Sequence, residues 1–166
     1  MKVVVGLGNP GIGYSETRHN AGFIILDYFA SKEGLDWANE DKFNSIIAKG
    51  GSFILVKPTT YMNNSGDAVQ KILNFYKLDL SELLVIHDDV DLPFGVTKIS
   101  KDSQAAGHHG VLDIINKLSS KDFCRLRFGI GRPEDKKYDV SDYVLSKFTK
   151  EEIDFISKFD LSSYLK

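Results

Sequence analysis

The 166-residue chain contains a single cysteine, Cys124, so no internal disulfide is available to it. That usage fits a reducing compartment, and a cytoplasmic location is the expectation. No stretch approaches the roughly 18 consecutive apolar residues that a membrane-spanning helix needs. The apolar run near the start, Val3-Val4-Val5, is too brief for a signal peptide, so a soluble, unexported protein is expected. The chain also lacks internal repeats, low-complexity tracts and any Gly-, Ser- or Pro-rich linker that could divide it. One domain over 1–166 is therefore expected, with a single sizeable core. A Gly-x-Ser-x-Gly elbow is missing, and Cys124 has no base near it in sequence. A covalent serine or cysteine mechanism thus lacks its nucleophile.

Charge of one sign is also wanting: the net charge is −2, which does not advertise a nucleic-acid binder. The distribution is less neutral. Residues 98–137 carry nine Lys/Arg against five Asp/Glu, a segment of +4 that leaves −6 for the remainder. A local basic face could hold a few phosphates; an ordinary solvated surface would look the same.

What is present reads as strands interleaved with helices. Val3–Val5 has the character of a buried strand running into Gly6-Leu7-Gly8-Asn9-Pro10-Gly11. A helix is expected over Ala21–Ser31, and a hairpin from Ser45–Ala48 and Phe53–Val56 across Gly50-Gly51. Further helices are expected over Ala68–Tyr76, Gly110–Leu118 and Lys150–Phe159, and strands over Leu83–Ile86, Val96–Ile99 and Cys124–Ile130. The fold class is α/β: one mixed, mostly parallel, twisted sheet covered by helices on both faces.

Two motifs invite readings that their context disfavours. Gly6–Gly11 has the spacing of a dinucleotide-binding turn, which would suggest an oxidoreductase. However, the polar loop Gly13–His19 separates it from the next helix, no second strand ends in an acid at the right distance, and Pro10 removes an amide N–H. His87-Asp88-Asp89-Val90-Asp91, with His108-His109 later, could suggest a metal-dependent hydrolase. Alternation along an extended segment turns Asp88 away from His87 and Asp89, and no second ligand cluster has recognisable spacing. What remains is histidine and asparagine chemistry in loops that follow strands, where open α/β sheets build their sites.

Those loops also carry a resemblance. Val5–Gly11, Tyr14, Thr17-Arg18-His19-Asn20 and Gly22-Phe23 resemble the opening of bacterial peptidyl-tRNA hydrolases. Lys57–Asn63 with Ser65-Gly66, His87–Pro93 with Gly95, and Arg125–Pro133 with Tyr143-Val144-Leu145 and Phe148 are similar to the later signatures, in the family's order. The resemblance implies hydrolysis of the ester joining a peptide to its tRNA, releasing tRNA for translation, with no cofactor and no metal. It implies His19 as general base, Asp88 as the carboxylate that fixes its tautomer, and Asn9 and Asn63 as donors to the substrate carbonyl. It implies substrate or tRNA contacts for Tyr14, Tyr61, Met62, His108 and His109, and phosphate contacts for Lys98, Arg127 and Arg132, with Arg125 an alternative on the same strand face. A monomer with no membrane contact and no obligate protein partner is expected. Two departures stand out. The family's glycine-rich loop ending His-Asn-Gly is Ser103–Gly110 here, with His109 in place of the asparagine, and the long C-terminal helix is curtailed.

Overall fold

Alternation within the apolar runs sets the architecture. In the computed structural model, which describes residues 1–165, Val3 and Val5 face one hydrophobic layer and Val4 the other. Leu83 and Val85 share the layer of Val3, whereas Leu84 and Ile86 share that of Val4. Strands buried on both faces need cover on both faces, and helices supply it.

In chain order the strands are β1 (Lys2–Gly6), β2 (Ala38–Glu40), β3 (Ser45–Lys49), β4 (Phe53–Pro58), β5 (Leu83–Asp89), β6 (Thr97–Lys101) and β7 (Cys124–Gly129). They form one sheet in the order β2-β3-β4-β1-β5-β7-β6. The helices are α1 (Ala21–Lys32), α2 (Ser65–Tyr76), α3 (His109–Leu118), the single turn α4 (Val140–Tyr143) and α5 (Lys150–Ser157). Residues of α1 and α5 pack in one layer and those of α2 and α3 in the other.

Strands β4, β1, β5 and β7 are parallel neighbours, flanked by the antiparallel β2-β3-β4 and β6-β7 pairings. Three pairings of each kind make the mixture more even than the sequence suggested. Other differences are local. Helix α2 begins at Ser65, three residues before the apolar periodicity starts at Ala68. Strand β5 continues through His87, Asp88 and Asp89, because parallel pairing with β7 extends to Asp89. Strand β2 was not legible, since Ala-Asn-Glu offers no apolar alternation.

The glycines of the first turn serve packing. A Cβ on Gly22 would lie 2.5 Å from the Ile86 carbonyl oxygen and from the Leu7 nitrogen, and a Cβ on Gly6 would collide with Gly22. Helix α1 therefore sits directly against the ends of β1 and β5, which brings the loop before it over the carboxyl edge of the sheet. That edge also receives the loops after β4, β5 and β7.

Candidate active site

Asp88 is the centre of the site. Alternation along β5 turns it to the α1 side of the sheet, where His19 ends the loop leading into that helix. Its side chain is only 2% exposed. Asp88 Oδ2 lies 2.9 Å from His19 Nδ1, and Oδ1 lies 2.9 Å from His108 Nε2. One carboxylate thus holds two imidazoles, whose ring centroids are 5.0 Å apart.

The neighbours decide the protons. His108 Nδ1 accepts from the Val111 backbone N–H at 3.3 Å, so its proton resides on Nε2 and is donated to Asp88. His19 donates Nδ1–H to the other carboxylate oxygen, which leaves Nε2 as its free nitrogen on the wall of a cavity of about 710 Å³. Burial opposes charging of His19, but the Asp88 charge and hydrogen bond outweigh it, and its pKa is raised above the ordinary imidazole value. Burial pushes the Asp88 carboxyl up, yet the two imidazoles more than reverse this and hold it well below the usual carboxylate range. Behind them His87 is buried, its Nδ1–H donated to the Asp88 carbonyl oxygen at 2.8 Å. Burial, and then the neighbouring His108, lower its pKa to about 4, so His87 is neutral near pH 7.

His19, Asp88 and His108 also form a group whose candidate ligand atoms lie within 4.8 Å of one another, assembled from segments too far apart for sequence spacing to reveal. The outer contacts suit protons better than a cation. A metal on His108 Nε2 would place the ring proton on Nδ1, where the Val111 N–H already points.

Asn9 lines the same cavity, with its orientation fixed. Its backbone N–H donates to Asn20 Oδ1 at 2.9 Å, and Asn20 Nδ2 returns a hydrogen bond to the Asn9 carbonyl at 3.0 Å. The Met62 N–H donates to Asn9 Oδ1 at 2.8 Å. With its oxygen engaged, Asn9 presents Nδ2 as a donor. Met62 is buried beside it, and Asn63 lies exposed on the cavity wall. Tyr61 has φ 63°, a conformation rare for a non-glycine residue, and its half-exposed side chain lines the cavity together with Tyr14. His109, the first residue of α3, is exposed at the same wall.

The basic residues divide. Lys98 and Arg127 are cross-strand neighbours on β6 and β7. Arg127 Nε donates to Asp89 at 2.7 Å, and Arg132 lines the cavity while paired with Asp91. Lys98 is exposed on the edge strand, outside the cavity wall. Arg125 shares a face with Arg127 as alternation required, but it is 1% exposed and donates to Ser103, Gln104 and Lys121. Its reading as an alternative phosphate contact is therefore corrected: it anchors the loop before α3 from within. His108 lines the cavity as expected, with both ring nitrogens engaged inside the protein, so the face it offers there is ring carbon. Reasoning from sequence missed the Asn20 clamp, the buried His87 and the segment 144–148 behind His19. Asn20, His87, Val144, Leu145 and Phe148 stood inside quoted signatures, but nothing in their spacing reveals which hydrogen bonds they make.

Fold and site together define the class: a hydrolase built on a mixed α/β sheet, with its polar groups at the carboxyl edge. The family model described as peptidyl-tRNA hydrolase matches residues 3–162. The peptidyl-tRNA hydrolase of Mycoplasma capricolum subsp. capricolum is 46% identical over 162 residues, covering 95% of this chain and 86% of the relative. That of a Sulfurihydrogenibium species is 48% identical over 154 residues, covering 92% and 81%. The crystal structure of peptidyl-tRNA hydrolase from Acinetobacter baumannii superposes with a TM-score of 0.86 at 38% identity, covering 94% of this chain and 81% of that one. The chain belongs to the peptidyl-tRNA hydrolase family.

Proposed function

We propose that His19 is the general base of this enzyme, working in a single domain through water and without a metal. The reaction is the family's own: ester hydrolysis that releases tRNA from peptidyl-tRNA. The observation that carries the assignment is the Asp88 carboxylate holding His19 by Nδ1, so that Nε2 is basic and faces the cavity.

The chemistry follows. His19 Nε2 takes a proton from a water that attacks the ester carbonyl carbon. The imidazolium formed lies against a carboxylate that stays ionised, so charge is created beside its counter-charge. The oxygen that gains negative charge is met by Asn9 Nδ2, already aimed by its bond to Met62, and by the Asn63 amide. Collapse of the intermediate expels the ribose oxygen of tRNA, which recovers the proton from His19. Tyr14, Tyr61 and Met62 supply walls for the peptide or the terminal nucleotide, and His109 contacts substrate at the start of α3. Lys98, Arg127 and Arg132 take backbone phosphates, for which the arginine forks suit bidentate contacts. In this reading the protein is a cytoplasmic monomer; no described helix is long and apolar enough to cross a membrane.

Release of free tRNA from a peptidyl-tRNA substrate tests the assignment. His19→Ala should lower kcat by at least about 100-fold, within the range for loss of a general base, with the fold retained. Activity near that of the parent enzyme would remove His19 from the mechanism.

A further inference from the structure

His19 is held from two sides, and only one of them is Asp88. Its backbone N–H donates to the Val144 carbonyl at 2.7 Å. The Arg18 N–H donates to the Ser146 carbonyl at 3.0 Å, Thr17 bridges Lys147, and the Phe148 N–H donates to the Glu16 carbonyl at 2.9 Å. Residues 16–19 and 144–148 thus run as a short antiparallel ladder at the rim of the site. Val144 and Leu145 from that ladder line the cavity.

The Arg18 side chain bolts this ladder together. It is buried, and Nη1 donates to Ser146 Oγ at 2.7 Å and to the Lys147 carbonyl. Nη2 donates to Glu152 at 3.0 Å. The guanidinium carbon lies 4.6 Å from the Tyr143 ring centroid and 5.5 Å from that of Phe148. The Tyr143 hydroxyl donates to the Ile130 carbonyl just beyond β7. Glu152 is itself tied down: its Oε1 accepts from the Thr149 N–H while Thr149 Oγ1 accepts from the Glu152 N–H, the reciprocal cap that opens α5. A buried planar fork, with two acceptors on one arm and a carboxylate on the other, between two rings, is a geometry that lysine cannot reproduce.

We propose that Arg18 is a positioning residue for His19, and that Glu152 on α5 completes the clamp that fixes the imidazole against Asp88. The inference rests on His19 being the base. The consequence is that the C-terminal helix, which contributes no group to the cavity wall, takes part in the reaction through Arg18. Substrate binding should depend less on this clamp than the chemical step does: Asn63, Tyr61 and the basic residues are attached elsewhere, Asn9 keeps its bond from the Met62 N–H, and the clamped ladder offers the cavity only the apolar Val144 and Leu145. Loss of the clamp should fall on kcat, as expected for geometry that matters most in the transition state.

The test uses the enzyme with four substitutions: Arg18→Lys, Glu152→Ala, Glu152→Gln and Thr149→Ala. Measurements are kcat and KM on peptidyl-tRNA, thermal midpoint, and the His19 titration followed by its imidazole NMR signal. Arg18→Lys and Glu152→Ala should lower kcat by roughly 10- to 100-fold, the scale of misplacing a reacting group, and leave KM within about twofold. The His19 pKa should drop toward the ordinary value as its contact with Asp88 loosens. Glu152→Gln retains the acceptor oxygen and should recover most of the loss. Thr149→Ala removes only the Oγ1 that accepts from the Glu152 N–H; the backbone N–H that holds Glu152 Oε1 and the Arg18 contact to that oxygen both remain, so it should reduce the thermal midpoint but leave kcat and the His19 titration in place. A folded Arg18→Lys enzyme with unchanged kcat and unchanged titration overturns the proposal, as does an equal loss in Thr149→Ala. Near-parental activity in His19→Ala would remove the base assignment and the positioning role together. An inactive His19→Ala beside a fully active Arg18→Lys would remove the positioning role alone.

Discussion

Asp88→Asn is the sharpest perturbation of the site, because the hydrogen bonds around it dictate the outcome atom by atom. His108 Nδ1 is committed to the Val111 N–H, so His108 Nε2–H must find an acceptor. The new amide has one oxygen, and His108 claims it. The amide nitrogen then faces His19 Nδ1 and donates to it. That drives the His19 proton to Nε2, the atom that, with His19 as the proposed base, has to accept a proton from water. The base is therefore present, correctly placed and in the wrong tautomer. A second loss adds to this, since the imidazolium formed in the reaction no longer meets a counter-charge. Unit charges about 4 Å apart at an effective dielectric constant near 20 interact by about 4 kcal/mol, which is roughly three decades in rate. The equivalent change in serine hydrolase triads costs about 10⁴-fold, so a fall in kcat of about 10³- to 10⁴-fold is expected. Single-turnover release of tRNA gives the rate, and ¹⁵N chemical shifts of the two His19 nitrogens report which carries the proton. An Asp88→Asn enzyme that keeps a tenth of its kcat, or whose His19 still has a bare Nε2, would rule out this role for the Asp88 carboxylate.

If Arg127 and Arg132 hold phosphates as proposed, replacing either with Ala should raise KM and reduce its salt dependence on peptidyl-tRNA, because each such contact would release counterions, with a smaller effect on a substrate lacking most of the tRNA. Equal effects on both substrates would assign these arginines to the fold, through Asp89 and Asp91, or to the chemistry. His109→Asn should keep or improve kcat/KM, since the amide supplies both donor and acceptor at the cavity wall; a clear fall would mean that the imidazole makes a contact the amide cannot. His87, neutral in the folded protein with its pKa lowered to about 4, should weaken the fold on acidification. The unfolded chain binds that proton near pH ~6.5 and the folded one does not, so stability declines as pH falls from about 6.5 to about 4, by up to about 3 kcal/mol. His19, with a raised pKa, works in the opposite sense: its contribution is complete at low pH and disappears as pH rises through the folded value. Urea denaturation across this range, compared with His87→Gln, isolates the His87 part; parallel stability curves for the two proteins would reject it.

Much of this protein is determined locally and is legible in the amino-acid order. Runs such as Val3–Val5 and Leu83–Ile86 can only be strands covered on both faces, and the spacing of Ile24, Ile25 and Phe29 or of Val69, Ile72 and Leu73 makes the helices that cover them. The loops that would carry the polar groups follow from the ends of those elements. So did the family, because its signatures lie in those loops. What tertiary structure decided is how separated segments meet. Asp88 receives His19 from 69 residues away and His108 from 20, and Asn9 is aimed by a backbone N–H that is 53 residues distant. Arg125 and Arg127 are two residues apart on one strand face, yet one is an internal anchor and the other a partly exposed cation beside Asp89. Residue type and alternation cannot separate them, because their difference lies in the loop at Ser103 and Gln104 folding over one and not the other. The same holds for Arg18, whose partners Ser146, Lys147 and Glu152 lie more than a hundred residues along the chain. Hydrogen bonds and ion pairs act over a few ångströms, so the chemistry of each polar side chain belongs to whatever the folded chain brings within that reach.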